Sequence, residues 1–66
     1  MIAVHRLTHP EREVYLNADL IQTVEATPDT VITLTNGDKL LVIESPPEVA
    51  ELVYSFRAEI LTRAGH

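Results

Sequence analysis

The sequence contains no cysteine and only two glycines among its 66 residues. Without cysteine, disulfides and Cys-based metal motifs are excluded, so a fold this short needs another source of stability. Two separated glycines are too few for a phosphate-binding loop, which requires several of them before a helix. We therefore expect one small domain without a metal or cofactor, stabilised in part by self-association.

Basic residues and long apolar runs are also scarce. Five Lys and Arg residues stand against ten Asp and Glu, and the net charge of −5 repels phosphate backbones and anionic lipids. No apolar run approaches the ~18 residues of a membrane helix, and the N-terminus lacks the apolar core of a signal peptide. These absences predict a cytoplasmic protein with no nucleic-acid partner and no direct membrane insertion.

Short extended segments make up the first two thirds of the chain. Residues 2–8 and 13–16 predict a first hairpin, and residues 20–26 predict a third strand after a polar corner that allows a short helical turn around Asp19. Thr27-Pro28-Asp29-Thr30 is typical of a type I turn, so strands three and four should be antiparallel neighbours.

Residues 31–43 carry the strongest hairpin signal, built around Asn36-Gly37. A two-residue loop pairs Ile32 with Leu41, whereas a three-residue loop shifts the register by one residue and exchanges the partners. In both registers each face of the hairpin carries large apolar side chains. We expect the hairpin to be buried on both sides, either by sheet curvature or by another subunit.

A helix start follows the last strand. Ser45 suits the N-cap, Pro46 the first helical position and Glu48 the acid of a capping box, which predicts a helix over about residues 46–63 that ends near Gly65. Its core-facing stripe is Val49, Leu52, Val53, Phe56 and Ile60. The expected fold is a single α+β, mainly β domain over residues 1–66, in which about five short antiparallel strands form a curved sheet or small partial barrel before this helix.

One helix can cover only one face of such a sheet, so apolar side chains on the other face need a partner. A homo-oligomer would cover them, and a closed barrel within one chain is the alternative. The candidate interface residues are Val31, Leu40, Leu41, Val42, Tyr54 and Leu61.

No group of residues in the sequence has the spacing of a catalytic or metal site. The histidines at positions 5, 9 and 66 match no ligand motif, and the acid pairs at 11/13 and 48/51 lie in polar surroundings that would not raise a pKa. Ser45 is explained by the helix cap, and Ser55 has no histidine beside it in the sequence. We expect a protein that is not an enzyme and acts by binding.

Residues 17–37 and 42–45 resemble the FlbD-type flagellar protein family, which includes swarming motility proteins of the SwrD type. The most specific element is the spacing from Glu25 to Gly37. Where the family commonly has a Leu-Asn-Gly turn, this chain has Leu7-Thr8-His9-Pro10. The signature residues are Asn17, Glu25, Pro28, Asp29, Thr30, Ile32, Leu34, Gly37, Glu44 and Ser45.

The resemblance implies a small cytoplasmic accessory protein that supports flagellar motor power or swarming through protein–protein interaction. It implies action near the cytoplasmic face of the motor, with the torque-generating stator as a candidate partner, and it brings no catalytic residues. The alternative is a small RNA-binding regulator of the carbon-storage-regulator type, since those proteins are also tiny, strand-rich and dimeric. The acidic charge balance argues against that alternative, because such proteins need basic edges to hold phosphates.

Overall fold

The fold is described from a computed structural model, which covers residues 1–26 and 28–64, with side chains described as far as residue 60. Five short strands precede one long helix, which confirms the predicted mainly-β α+β class. The elements are β1 (Ile2–His5), β2 (Glu13–Leu16), a 3-10 turn (Ala18–Leu20), β3 (Ile21–Ala26), β4 (Thr30–Leu34), β5 (Lys39–Val42) and α1 (Pro46–Ala64).

Strands β1 and β2 form the predicted first hairpin, and β3, β4 and β5 form a second antiparallel sheet in that order. The first hairpin turns where the Arg12 amide donates to the His9 carbonyl over 3.0 Å. The Asn17 side chain accepts from the Asp19 amide over 3.0 Å, which caps the 3-10 turn before β3. The turn predicted between β3 and β4 includes Thr27, which lies outside the described residues.

A seam between β1 and β5 joins the two sheets. Arg6 lies opposite Val42 in an antiparallel bridge. On either side of it the Leu7 amide donates to the Leu41 carbonyl over 3.1 Å and the Ile43 amide donates to the His5 carbonyl over 2.9 Å. The strands therefore run in the order β2-β1-β5-β4-β3, and the sheets do not close into a barrel.

The β4–β5 hairpin adopts the register of the three-residue loop, so the register with a two-residue Asn36-Gly37 loop is wrong. Ile32 pairs with Leu40, and the loop ends at Gly37, the one described residue with a positive φ, +93°. A type I′ turn needs positive φ at both central residues, and Asn36 does not adopt it. Instead, the Gly37 amide donates to the Leu34 carbonyl over 2.9 Å.

This register decides which side chains reach the core. Leu40 and Val42, two of the candidate interface residues, are buried, while Leu41 points to the opposite face and is 43% exposed. Within one chain the hairpin is therefore not buried on both sides, and burial of its second side by another subunit stays a prediction. The core consists of Ile2, Val4, Leu16, Ala18, Ile32, Leu40, Val42 and Val49.

Helix α1 begins at Pro46, as predicted. The Ser45 hydroxyl accepts from the Glu48 amide over 3.3 Å and donates to a Glu48 carboxylate oxygen over 3.1 Å. Val49 is fully buried, whereas Ile60 is about half exposed, so only the first three turns of the predicted stripe pack against the strands. In the described ranges no helix has the length and apolar character to cross a bilayer.

Candidate interaction surfaces

The first surface is the side of the β3–β4–β5 sheet that points away from the core, which we call the outer face. Directly opposed residues of antiparallel strands share a side, so the register places Glu25, Val31 and Leu41 in one row and Thr23, Thr33 and Lys39 in the next. On β3 and β5 these side chains are exposed, and on β4 they are half-buried.

The apolar part of the outer face continues across the seam. Leu7 lies beside Leu41, and Ile43 follows two residues after Leu41 on the same side of the chain. Leu7, Leu41 and Ile43 are 37–49% exposed. The backbone register places these three residues on the same face as the half-buried Val31, and we call the four residues the apolar patch. Exposed apolar surface of this kind is typical of protein interaction sites.

Two charged residues flank the apolar patch on the outer face. Glu25 lies on β3 and Lys39 on β5, at diagonally opposite corners of the two rows. Within the described part of the chain neither side chain belongs to an ion pair.

The second surface is a cleft between β1 and the first half of α1, with His5 and Glu44 at its entrance. The Glu44 carboxylate accepts from the His5 amide over 2.9 Å and lies 2.6 Å from the His5 ring Nδ1. Both oxygens are therefore used, which holds the β5–α1 connection against β1. The two residues are 39 positions apart, so no local sequence pattern indicates this pair.

Each partner shifts the pKa of the other. The hydrogen bond to Glu44 raises the pKa of His5 above its ordinary 6.5, with a further contribution from the negative charge of Glu13. Burial acts to raise the pKa of Glu44, but the hydrogen bonds from the His5 ring and amide outweigh it and lower the pKa below 4.5. The pair is therefore an ion pair in mildly acidic solution.

The cleft has a volume of about 420 Å³, and three of its seven lining residues are acidic. Glu44, Glu48 and Glu51 follow one another at spacings of four and three residues, which places them along one side of the helix start. The other lining residues are Ala3, His5, Leu52 and Ser55.

The cleft brings together Ser55, His5 and Glu44, the residue types of a catalytic triad, but not in triad geometry. Nδ1 of His5 is hydrogen-bonded to Glu44, and no hydrogen bond joins Ser55 to His5 in the structure. Among the described residues, no three His, Asp or Glu side chains are arranged to hold a metal ion. Glu48 and Glu51 are both exposed, as the sequence indicated, and they line the cleft.

Tyr54 lies on a third depression, between α1 and β3. This groove has a volume of about 470 Å³ and is lined mainly by apolar side chains, and Tyr54 is 71% exposed at its rim. The other lining residues are Val24, Pro46, Val49, Ala50, Val53 and Arg57. The Leu61 side chain, also a candidate interface residue, lies outside the described side chains.

Comparison with known protein families gives one decisive result. A sequence model of the FlbD family, described as flagellar and swarming motility proteins, matches residues 1–61. The chain belongs to the FlbD family. Comparison with curated proteins and with solved structures gives no match.

Most of the FlbD signature residues serve the fold. Asn17 caps the 3-10 turn, Gly37 provides the positive φ of the β4–β5 loop and Ser45 caps α1. Thr30 and Ile32 are buried on β4. Leu34 packs against the core, and Pro28 and Asp29 lie in the β3–β4 connection.

Two signature carboxylates lie on the candidate surfaces instead. Glu25 is exposed on the outer face, and Glu44 lies at the entrance of the cleft. The residues that carry the resemblance therefore serve mainly the fold, with one acid on the outer face and one in the cleft.

Proposed function

We propose that this FlbD protein is a non-enzymatic accessory protein of the cytoplasm that supports flagellar motor power or swarming motility by binding another protein. The family match over residues 1–61 carries the motility role. The contact with a partner is inferred from the molecular surface.

The apolar patch supports an interaction role. Leu41 and Ile43 together expose aliphatic surface on a rigid sheet, and apolar surface of this kind gains free energy when a protein partner covers it. The surrounding backbone is held by the seam and by the hairpin ladder, so the patch is preorganised for binding.

The partner proposed is a protein of the motor, with the cytoplasmic part of the stator as the first candidate. The net charge of −5 and the acidic cleft favour a partner that presents basic residues beside apolar ones. Such a partner could contact the cleft and the patch together, because His5 lies at the entrance of the cleft and on the strand that forms the seam.

The test is deletion of the gene in a motile host, followed by measurement of swarming and of torque on tethered cells. We expect flagella to assemble and torque to fall, with recovery on complementation. A capture experiment with the whole chain as bait, with membrane proteins retained in detergent, should enrich stator components.

Variants of the complementing gene separate binding from folding. Glu51→Lys in the cleft should reduce torque, whereas Glu11→Lys, which makes the same charge change in the β1–β2 connection, should not. Unchanged torque on deletion would refute the motility role. Tight binding of a fluorescent RNA at low salt would instead favour the RNA-regulator alternative.

A further inference from the structure

We infer that the outer face binds the outer face of a second copy of this chain, forming a two-fold symmetric dimer centred on Leu41 with reciprocal Glu25–Lys39 ion pairs. The dimer covers the Val31 and Leu41 part of the apolar patch, so a motor partner would compete with it there, but the motility role proposed above does not rest on the dimer.

The charge arrangement on the outer face is self-complementary. In a two-fold interface every contact occurs twice, so a surface that pairs with itself must carry opposite charges at positions that the axis exchanges. Glu25 and Lys39 are two strands and one row apart, which in an ideal sheet is a diagonal of about 12 Å. Both side chains lack an ion-pair partner in the described part of their own chain.

The apolar residues lie where this symmetry needs them. A two-fold axis in the plane of the interface that bisects the Glu25–Lys39 diagonal passes within about 2 Å of Leu41 and of Val31 in an ideal sheet. Leu41 then packs against Leu41 and Val31 of the second copy, and Glu25 lies over Lys39 of that copy on both sides. The threonines at positions 23 and 33 fill the remaining contacts between the charged corners.

A second copy of this chain matches both the charged diagonal and the apolar centre of the outer face. An unrelated partner would need its own matching cation and anion on the same diagonal, whereas this sequence already supplies them. The six residues of the two rows are fewer than the roughly 20–30 that each partner contributes to a stable interface, and two copies at −5 each repel one another. We therefore expect a weak dimer with a dissociation constant in the micromolar range.

The experiment is sedimentation equilibrium of the whole chain from about 1 to 500 μM at physiological salt. The mass should rise from 7.4 kDa towards twice that value. Leu41→Glu should abolish the rise. Glu25→Lys and Lys39→Glu should each weaken dimerisation by about tenfold, since each replaces two attractive contacts with two repulsive ones.

The double variant Glu25→Lys/Lys39→Glu decides the geometry. It exchanges the two charges, so it should restore dimerisation to near the level of the parent. Glu11→Lys and Arg12→Glu, exposed in the β1–β2 connection, control for net charge and should leave dimerisation near that of the parent. Circular dichroism melts confirm that each variant is folded.

Three results would overturn the inference. One is a monomer at all concentrations, another is a dimer that persists in folded Leu41→Glu, and the third is a double variant no stronger than the single ones. Since torque on gene deletion does not depend on these outcomes, failure of the dimer and failure of the motility role are distinguishable.

Discussion

Replacing Gly37 tests the positive φ on which the β4–β5 loop depends. Gly37 has φ of +93°, a conformation that costs a non-glycine residue about 1–3 kcal/mol and a β-branched one the upper part of that range. A Cβ at this position would meet no atom within 4 Å. The cost is therefore backbone strain alone, with no steric clash to add.

The net effect is smaller than the strain, because any side chain also restricts the unfolded chain. That restriction stabilises the folded state relative to the unfolded chain by roughly 0.4–1 kcal/mol. We expect Gly37→Val to lose about 1–2 kcal/mol, which for a domain of this size lowers the melting temperature by roughly 5–15 °C. Gly37→Asn should lose less than about 0.5 kcal/mol, because asparagine tolerates positive φ.

The assay is thermal unfolding followed by circular dichroism, with all variants at one low concentration so that self-association does not shift the midpoint. Both variants replace the glycine, so the difference in stability between Val and Asn measures the cost of positive φ rather than the loss of glycine itself. If the two variants melt together, or if Gly37→Val melts with the parent, the positive φ at position 37 is wrong and so is the three-residue loop.

Three further predictions concern the helix cap, the His5–Glu44 pair and metal content. Ser45→Ala removes the oxygen that accepts from the Glu48 amide and should cost about 1 kcal/mol in a thermal melt. Because the pKa of His5 is raised, its contribution to stability is fully present below pH 6.5 and is lost as pH rises through the raised pKa. Because the pKa of Glu44 is lowered, its contribution is present above pH 4.5 and is lost as pH falls through the lowered pKa. His5→Gln should therefore destabilise most at about pH 5.5 and less at about pH 8.5. Equal losses at both pH values would contradict the ion pair. Elemental analysis of protein purified without a histidine tag should find no stoichiometric transition metal, and one equivalent of zinc or nickel would refute this prediction.

Local chemistry in the sequence was enough to predict the elements and their order. The Ser45-Pro46 start of α1 and the polar corner at Asn17 act over three or four residues, so their side chains specify the structure without help from the rest of the chain. The antiparallel pairing of β3 with β4 and of β4 with β5 follows in the same way from short connections.

The sequence was less informative about contacts that depend on one residue of register or on distant pairing. Asn36-Gly37 is compatible with two loops, and only the observed φ values distinguish them. The three-residue loop places Leu40 in the core and Leu41 on the outer face. The His5–Glu44 pair depends on the β1–β5 seam. Three other strands, β2, β3 and β4, separate β1 from β5 in the chain, and no local pattern in the sequence indicates that the two pair.

The seam also has a consequence for the order in which the protein folds. Every other strand pairing joins neighbours in sequence and closes a short loop, whereas the seam brings residues 5–7 to residues 41–43 and closes a loop of more than 30 residues. The two hairpin units can thus nucleate separately on the microsecond timescale of local hairpins, and docking of β1 onto β5 is the natural rate-limiting step. Substitutions at the seam should then change the folding rate, and those in the β4–β5 loop should do so only to the extent that the loop is formed in the transition state.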